Sequence, residues 1–366
     1  MWQPWSRSHF NNKPGKPSSS EAFVTLVASE AYGRGALVLA ESLRQHGTTR
    51  NLVALVTPKI SSPIRYALDR VFDEVCEVDV MKSCDAARLV LLQRPELGLS
   101  LTKLHCWSLT QYSKAVFMDA DTMALSNIDE LFEREEFSAA PDPAWPDCFN
   151  SGLFVFRPSH STHAALLTAA TCLGSFDGGD QGLLNTFFSD WATKDITHHL
   201  PFIFNLAITS LYTCLPAFRQ FGSKARVIHF LGAIKPWHWT YHSQHGTAIP
   251  PDSGAGNATG ILGPLVTKWW HLYENVIPLL EEGGLVMESP KEMTELPLAS
   301  MSLPDQVSGA LKQALVVSAM DSLNLAGDDR QRESDEHRRC WERGQIDYLG
   351  KDSFDNIQRK LDAQMK

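Results

Sequence analysis

The chain lacks the marks of several whole classes of protein. Its 366 residues hold seven cysteines, at 76, 84, 106, 148, 172, 214 and 340, an odd number with no C-x-x-C pair. No disulfide framework or paired-cysteine metal motif is written into that spacing, and reduced thiols in a cytoplasmic protein are the expectation. Positive charge is also in short supply: 33 Lys and Arg stand against 42 Asp and Glu, a formal net charge of -9. That balance excludes non-specific nucleic-acid binding, which needs clustered basic residues. Any phosphate must be held by a few local cations. No apolar run is long enough to span a bilayer, and residues 1–20, rich in Asn, Lys, Pro and Ser, lack the apolar stretch of a secretory signal. No membrane contact is expected.

What is present is a core-building chain, 43% hydrophobic, with its apolar residues arranged in short runs. Phe23 to Val27, Leu52 to Val56 and Val75 to Val78 read as buried strands, separated by helical patterns over Tyr32 to His46 and after Pro63. A helix over Thr102 to Tyr112 leads into a fourth strand, Ala115 to Met118. Continuous apolar strands alternating with helices predict a parallel sheet covered on both faces, a Rossmann-like α/β architecture. Later segments read as a strand over Ala225 to Leu231 and a helix over Val266 to Leu280. The expected division is a disordered leader, 1–20; a main domain, 21–281; a flexible linker, 282–336; and a short helical segment, 337–366, where Phe354, Ile357 and Leu361 share a stripe.

The fourth strand empties into Asp119-Ala120-Asp121. In extended backbone, residues two apart point the same way, so both carboxylates could grip one cation at the carboxyl end of a strand, where open α/β sheets bind ligands. The alternative is a solvated turn with Asp121 capping a helix. His229, on one face of its strand with Val227 and Leu231, is either structural or a third ligand. Joined to two carboxylates, its nitrogen would favour Mn²⁺ over Mg²⁺. Gly232 and Lys235 follow closely enough to meet a phosphate, and Arg94 and Lys103 are further candidate cations. The loop Phe176 to Gly182 carries Asp177, Asp180 and Gln181 among three glycines. It either wraps a sugar, with Asp180 or Asp177 facing positive charge at an anomeric carbon, or is a turn whose Asp residues bond their own backbone. Asn150-Ser151-Gly152 is likewise a sugar contact or an ordinary turn.

Taken together, these segments resemble the glycogenin family of retaining glycosyltransferases with the GT-A fold. The resemblance runs through Ala22 to Leu26, Arg94 to Gly98, Leu101 to Lys114, Phe117 to Asp121, Ala139 to Gly152, Asp177 to Gly182 and His229 to Trp237, and returns in Trp341 to Leu361. It implies a self-glucosylating enzyme that takes UDP-glucose, with manganese held by Asp119, Asp121 and His229. Leu26, Tyr32, Arg94, Lys103, Ala120, Asn150, Ser151, Asp177, Asp180, Gln181, Gly232 and Lys235 match donor-contacting positions, as do Ala28 and Ser29, where the family usually has Thr and Asn. Asp180, Asp177 and Lys103 match catalytic positions, and Tyr212 matches the tyrosine that receives the first glucose. The resemblance further implies an α-1,4-glucan product that primes glycogen, a homodimer, and a glycogen-synthase-binding tail at residues 341–361. Retention through a covalent glucosyl-Asp180 and retention by front-face attack both remain open.

Overall fold

A computed structural model of the chain describes residues 20–81, 95–209, 214–251 and 259–285, all within one compact unit, Met1–Leu296. Arg94, Tyr212, the 286–336 part of the linker and the 337–366 segment lie outside the described residues.

The strands are β1 Glu21–Val27, β2 Asn51–Val56, β3 Glu74–Glu77, β4 Lys114–Met118, β5 Thr122–Ala124, β6 Ser138–Pro141, β7 Phe149–Phe156, β8 Leu206–Ala207, β9 Val227–His229, β10 Thr240–His242 and β11 Thr247–Ile249. The main sheet has the order β3-β2-β1-β4-β7-β6. β1, β2, β3 and β4 run parallel, while β7 is antiparallel to both β4 and β6. The chain moves outward from β1 to β3 and then returns to pair β4 on the other side of β1. The crevice beyond the carboxyl ends of β1 and β4 is therefore a topological switch point, where such sheets place their ligands. A smaller sheet, β5-β9-β8, joins the segment that leaves β4 to two strands from much later in the chain.

The apolar runs of β1, β2 and β4 are buried on both faces, as their continuity requires, whereas β3, at the sheet edge, is only half-buried. Phe23 and Val27 of β1, Val116 and Met118 of β4 and Leu153 of β7 join one core with the helices α1 Glu30–Gln45 and α2 Ser62–Val71. Their alternating neighbours Val24, Leu26, Phe117 and Phe154 join a second core. That second layer is aromatic: Phe117 stacks on Phe154 with ring centroids 5.1 Å apart, and Trp107 stacks on Phe154 at 5.3 Å. It is covered by α3 His160–Cys172 and α4 Asp180–Phe187. α5 Leu215–Phe221, α6 Thr259–Glu274 and α7 Ile277–Glu282 complete the helices among the described residues.

Three expected elements differ. The single helix expected over Val266 to Leu280 breaks at Asn275 and Val276 into α6 and α7. In place of an α-helix over Thr102 to Tyr112 there is a 3-10 stretch, Pro95–Ser108. It is buried throughout from Leu101 to Trp107. The strand expected over Ala225 to Leu231 shortens to β9, although Phe230 still donates its N–H to the carbonyl of Asp121, the residue before β5, at 2.9 Å.

Candidate active site

The turn that carries the paired carboxylates is held almost entirely by backbone bonds. Asp119 N donates to the Gly152 carbonyl at 2.8 Å, and Thr122 closes the turn by donating from both N, 2.9 Å, and Oγ1, 2.7 Å, to the Asp119 carbonyl. Ala120 and Asp121 therefore sit in a turn between β4 and β5, not in the extended backbone expected from the i, i+2 spacing. The element that follows is a strand, so Asp121 caps no helix. Helix α1 presses against the same turn at Gly35, where a Cβ would lie 2.3 Å from the Ala120 carbonyl oxygen. No side chain fits between that helix and the turn.

Short backbone pairing also brings in the third ligand. β5 pairs antiparallel with β9, setting Thr122 opposite His229. Asp119, Asp121 and His229 each offer one ligand atom, and these atoms lie within 4.8 Å of one another. His229 Nε2 is 3.4 Å from Asp121 Oδ1, and its other nitrogen, Nδ1, meets Asn205 Oδ1 at 2.9 Å. One imidazole nitrogen held by the protein and one facing carboxylates is the usual dress of a metal-ligating histidine. Two carboxylates and an imidazole fit a divalent cation with some affinity for nitrogen.

Two buried lysines balance this charge. Lys103 Nζ lies 3.0 Å from Asp119 Oδ1 and 2.6 Å from Asp180 Oδ2, and donates to the Ser151 carbonyl at 3.1 Å. Burial alone would lower its pKa, but the two carboxylates reverse that and hold it above the ordinary lysine value. Lys235 Nζ contacts Asp121 Oδ2 and donates to the Phe230 carbonyl at 2.9 Å. Burial would raise Asp121, yet the Lys235 ammonium beside it holds it well below the usual carboxylate range. Asp180 opens α4, with its N–H donating to Ser100 Oγ at 3.0 Å and its Oδ2 accepting from Ser151 Oγ at 2.7 Å. Asp177 Oδ1 accepts from Ser175 Oγ and Gly179 N, so this carboxylate does close its own turn.

A cavity of about 380 Å³ opens at the switch point. Its lining brings together Leu26, Ala28, Tyr32, Lys103, Asp119, Ala120, Asp121, Asn150, Ser151, Asp177, Asp180, Gln181 and His229. Ser29, Gly232 and Lys235 are not in the lining, although Leu231 is. Gly152 and Gly179, from the two candidate sugar-contacting segments, line it as well, and so do three residues that sequence reasoning did not single out: Leu99, Ser100 and Asp142. Asp142 lies within the Ala139 to Gly152 stretch that carried the resemblance; nothing in its spacing marks it until the fold sets its Oδ2 against Asn150 Nδ2 at 2.9 Å and Gln181 Nε2 at 3.0 Å.

Residues 23–240 match the family described as "Glycosyl transferase family 8". The chain is 52% identical to Glycogenin-1 of Mus musculus and 51% identical to Glycogenin-1 of Homo sapiens, over 95% of this chain and 100% of each relative. It is 54% identical to Glycogenin-2 of Homo sapiens over 75% of this chain and 55% of that relative. The chain belongs to the glycogenin family. It is thus a self-glucosylating retaining glycosyltransferase with a GT-A fold, which uses a nucleotide sugar and a divalent metal and primes glucan synthesis for glycogen synthase. Among the described residues no helix is long and apolar enough to cross a membrane.

Proposed function

We propose that this glycogenin transfers glucose from UDP-glucose to the hydroxyl of its own Tyr212, then to the 4-hydroxyl of each attached glucose, building a short α-1,4-glucan. The observation that carries the reading is the joining of two clusters in one cavity: the Asp119, Asp121 and His229 ligand set, and the Asp180 carboxylate linked to it through Lys103. In this reading Asp119, Asp121 and His229 hold Mn²⁺, which supplies positive charge to the diphosphate of the donor. Lys103, Lys235 and Arg94 add fixed positive charge where the leaving group gathers its negative charge. Leu26, Ala28, Ser29, Tyr32, Ala120 and Gly232 bear on the nucleotide, and Asn150, Ser151, Asp177 and Gln181 on the sugar. Asp180 faces the anomeric carbon as it becomes cationic. Lys103 and Ser151 hold that carboxylate in place by direct contacts, which suits charge stabilisation in either route to retention.

The wider assignments belong to the same proposal: a homodimer, residues 341–361 as the segment that binds glycogen synthase, a linker over 282–336, and a cytoplasmic protein. Incubating the full chain with UDP-glucose and Mn²⁺ and recording its intact mass tests the core of it. A ladder of hexose increments that vanishes in Tyr212→Phe is expected. An unchanged mass in the native chain, or a full ladder in Tyr212→Phe, would defeat the proposed acceptor.

A further inference from the structure

We infer that Asn205, which lies behind His229 and outside the cavity lining, fixes the tautomer and direction of that imidazole and is a positioning residue of the cation site. The inference rests on the reading of Asp119, Asp121 and His229 as cation ligands.

The argument starts at a group whose role is not in question. The backbone N–H of Gly152 donates to Asn150 Oδ1 at 2.9 Å, and a backbone amide can only donate. The Asn150 oxygen is therefore turned toward Gly152, which leaves its Nδ2 to donate to Asp142 Oδ2 at 2.9 Å. The same Oδ1 accepts from Asn205 Nδ2 at 2.8 Å. With its nitrogen committed there, Asn205 must turn its oxygen toward His229 Nδ1, 2.9 Å away. An amide oxygen only accepts, so Nδ1 carries a proton, and in the neutral ring the lone pair is on Nε2. Nε2 is the nitrogen on the Asp121 side, where a cation needs it unprotonated.

Burial makes this directional chain binding. Asn150, Asn205 and His229 are 4%, 2% and 2% exposed, and a reversed amide would set donor against donor with no water to relieve it. Asn205 itself is placed by backbone: it precedes β8, whose Ala207 pairs in register with His229. Gly152 contributes a second time, because a Cβ there would lie 2.3 Å from His229 Cε1. The chain also ends on Asp142, which accepts from Gln181 Nε2. One hydrogen-bonded unit thus joins the cation side of the cavity to the side where Gln181 stands.

The test uses the full chain and Mn²⁺ alone, without sugar nucleotide. Binding is followed by the electron-paramagnetic-resonance signal of free Mn²⁺. The His229 tautomer is read from long-range ¹H–¹⁵N correlations of histidine-labelled, metal-free protein, assigned by the signal lost in His229→Gln. The native chain should show a protonated Nδ1. Asn205→Leu should mix the tautomers and weaken Mn²⁺ binding about 10- to 100-fold, the range typical of lost partners behind a metal ligand, with its circular dichroism unchanged. Asn205→Asp keeps the acceptor and should hold the native tautomer with a smaller loss. A folded Asn205→Leu with native tautomer and affinity overturns the inference. So does a native ring protonated on Nε2 with Nδ1 bare, a result that needs no variant to fold. A native chain that binds no Mn²⁺ would instead overturn the cation reading on which the role depends.

Discussion

The two ends of the cavity each bury a lysine against carboxylates, but they are built differently. At the cation end, the turn that carries Asp119 and Asp121 is bound by main-chain bonds to β7 and to Phe230, and His229 arrives on a strand paired with β5. At the sugar end, Lys103 hangs from a 3-10 stretch, and Asp180 opens a short helix whose first N–H is met by the Ser100 side chain. Main-chain ladders tolerate changes in neighbouring side chains. An arrangement made of side chains loses its geometry when one of them is cut. The cation end is thus expected to behave as a rigid unit, and the sugar end as a set of mutually dependent groups.

The largest effect should come from Asp121→Asn. Losing a ligand and the charge that faces the leaving group should cut self-glucosylation at least about a thousandfold, on the order of 4 kcal/mol in the barrier, with Mn²⁺ binding lost as well. The same change leaves Lys235 buried without its carboxylate, which costs stability. Asp121→Asn/Lys235→Met should therefore recover the thermal midpoint while activity stays lost. Recovery of activity in that pair would show that Asp121 serves only to satisfy Lys235.

Lys103→Met tests the other end. It leaves Asp119 and Asp180 without the cation between them, and transfer should fall about a hundredfold, on the order of 3 kcal/mol. Mn²⁺ affinity without donor should hold or tighten, since a competing positive charge has left Asp119. An equal fall in affinity and turnover would erase the distinction between the two ends.

Gly35→Ala probes the rigidity of the cation end from outside. Its Cβ would need the space held by the Ala120 carbonyl, so either the turn or α1 must shift, at a cost of about 1–3 kcal/mol. A shifted turn separates Asp119 from Asp121, and Mn²⁺ affinity should drop about tenfold together with the thermal midpoint. A lower midpoint with native affinity would place the adjustment in α1 and leave the turn rigid.

How much of this was legible beforehand follows the same division. The apolar runs of β1, β2 and β4 announce a two-sided parallel sheet, and Asp119 and Asp121 at the end of a buried strand announce a cation site, because periodicity and position are local properties. The joining of His229 to that pair depends on β5 and β9, three-residue strands with no periodic signal of their own. Lys103 on its own spacing is one ambiguous candidate cation until the fold sets it between Asp119 and Asp180. Asn205 carries no local mark whatever, since its role exists only through Asn150 and His229, 55 and 24 residues away in the chain.

The smallest effect concerns the layer behind Lys103, where the 3-10 stretch meets α3. The His105 and His163 rings lie 5.4 Å apart, and His105 Nδ1 and His163 Nε2 are buried with no hydrogen-bond partner. Burial, helped by His105 and His160, pushes the His163 pKa down to about 4, and burial also lowers His105. A histidine whose folded value lies below its unfolded one favours folding in the neutral form, so its contribution is complete above about pH 6.5 and is lost as the pH falls toward 4. His163 is only half-buried, and solvent screening limits the loss to about 1 kcal/mol. The thermal midpoint should fall between about pH 7.5 and about pH 5, and the fall should be smaller in His163→Gln, which cannot take up a proton. Every other group is common to both proteins, so the difference isolates this pair. An identical fall in the two would remove His163 from the acid response.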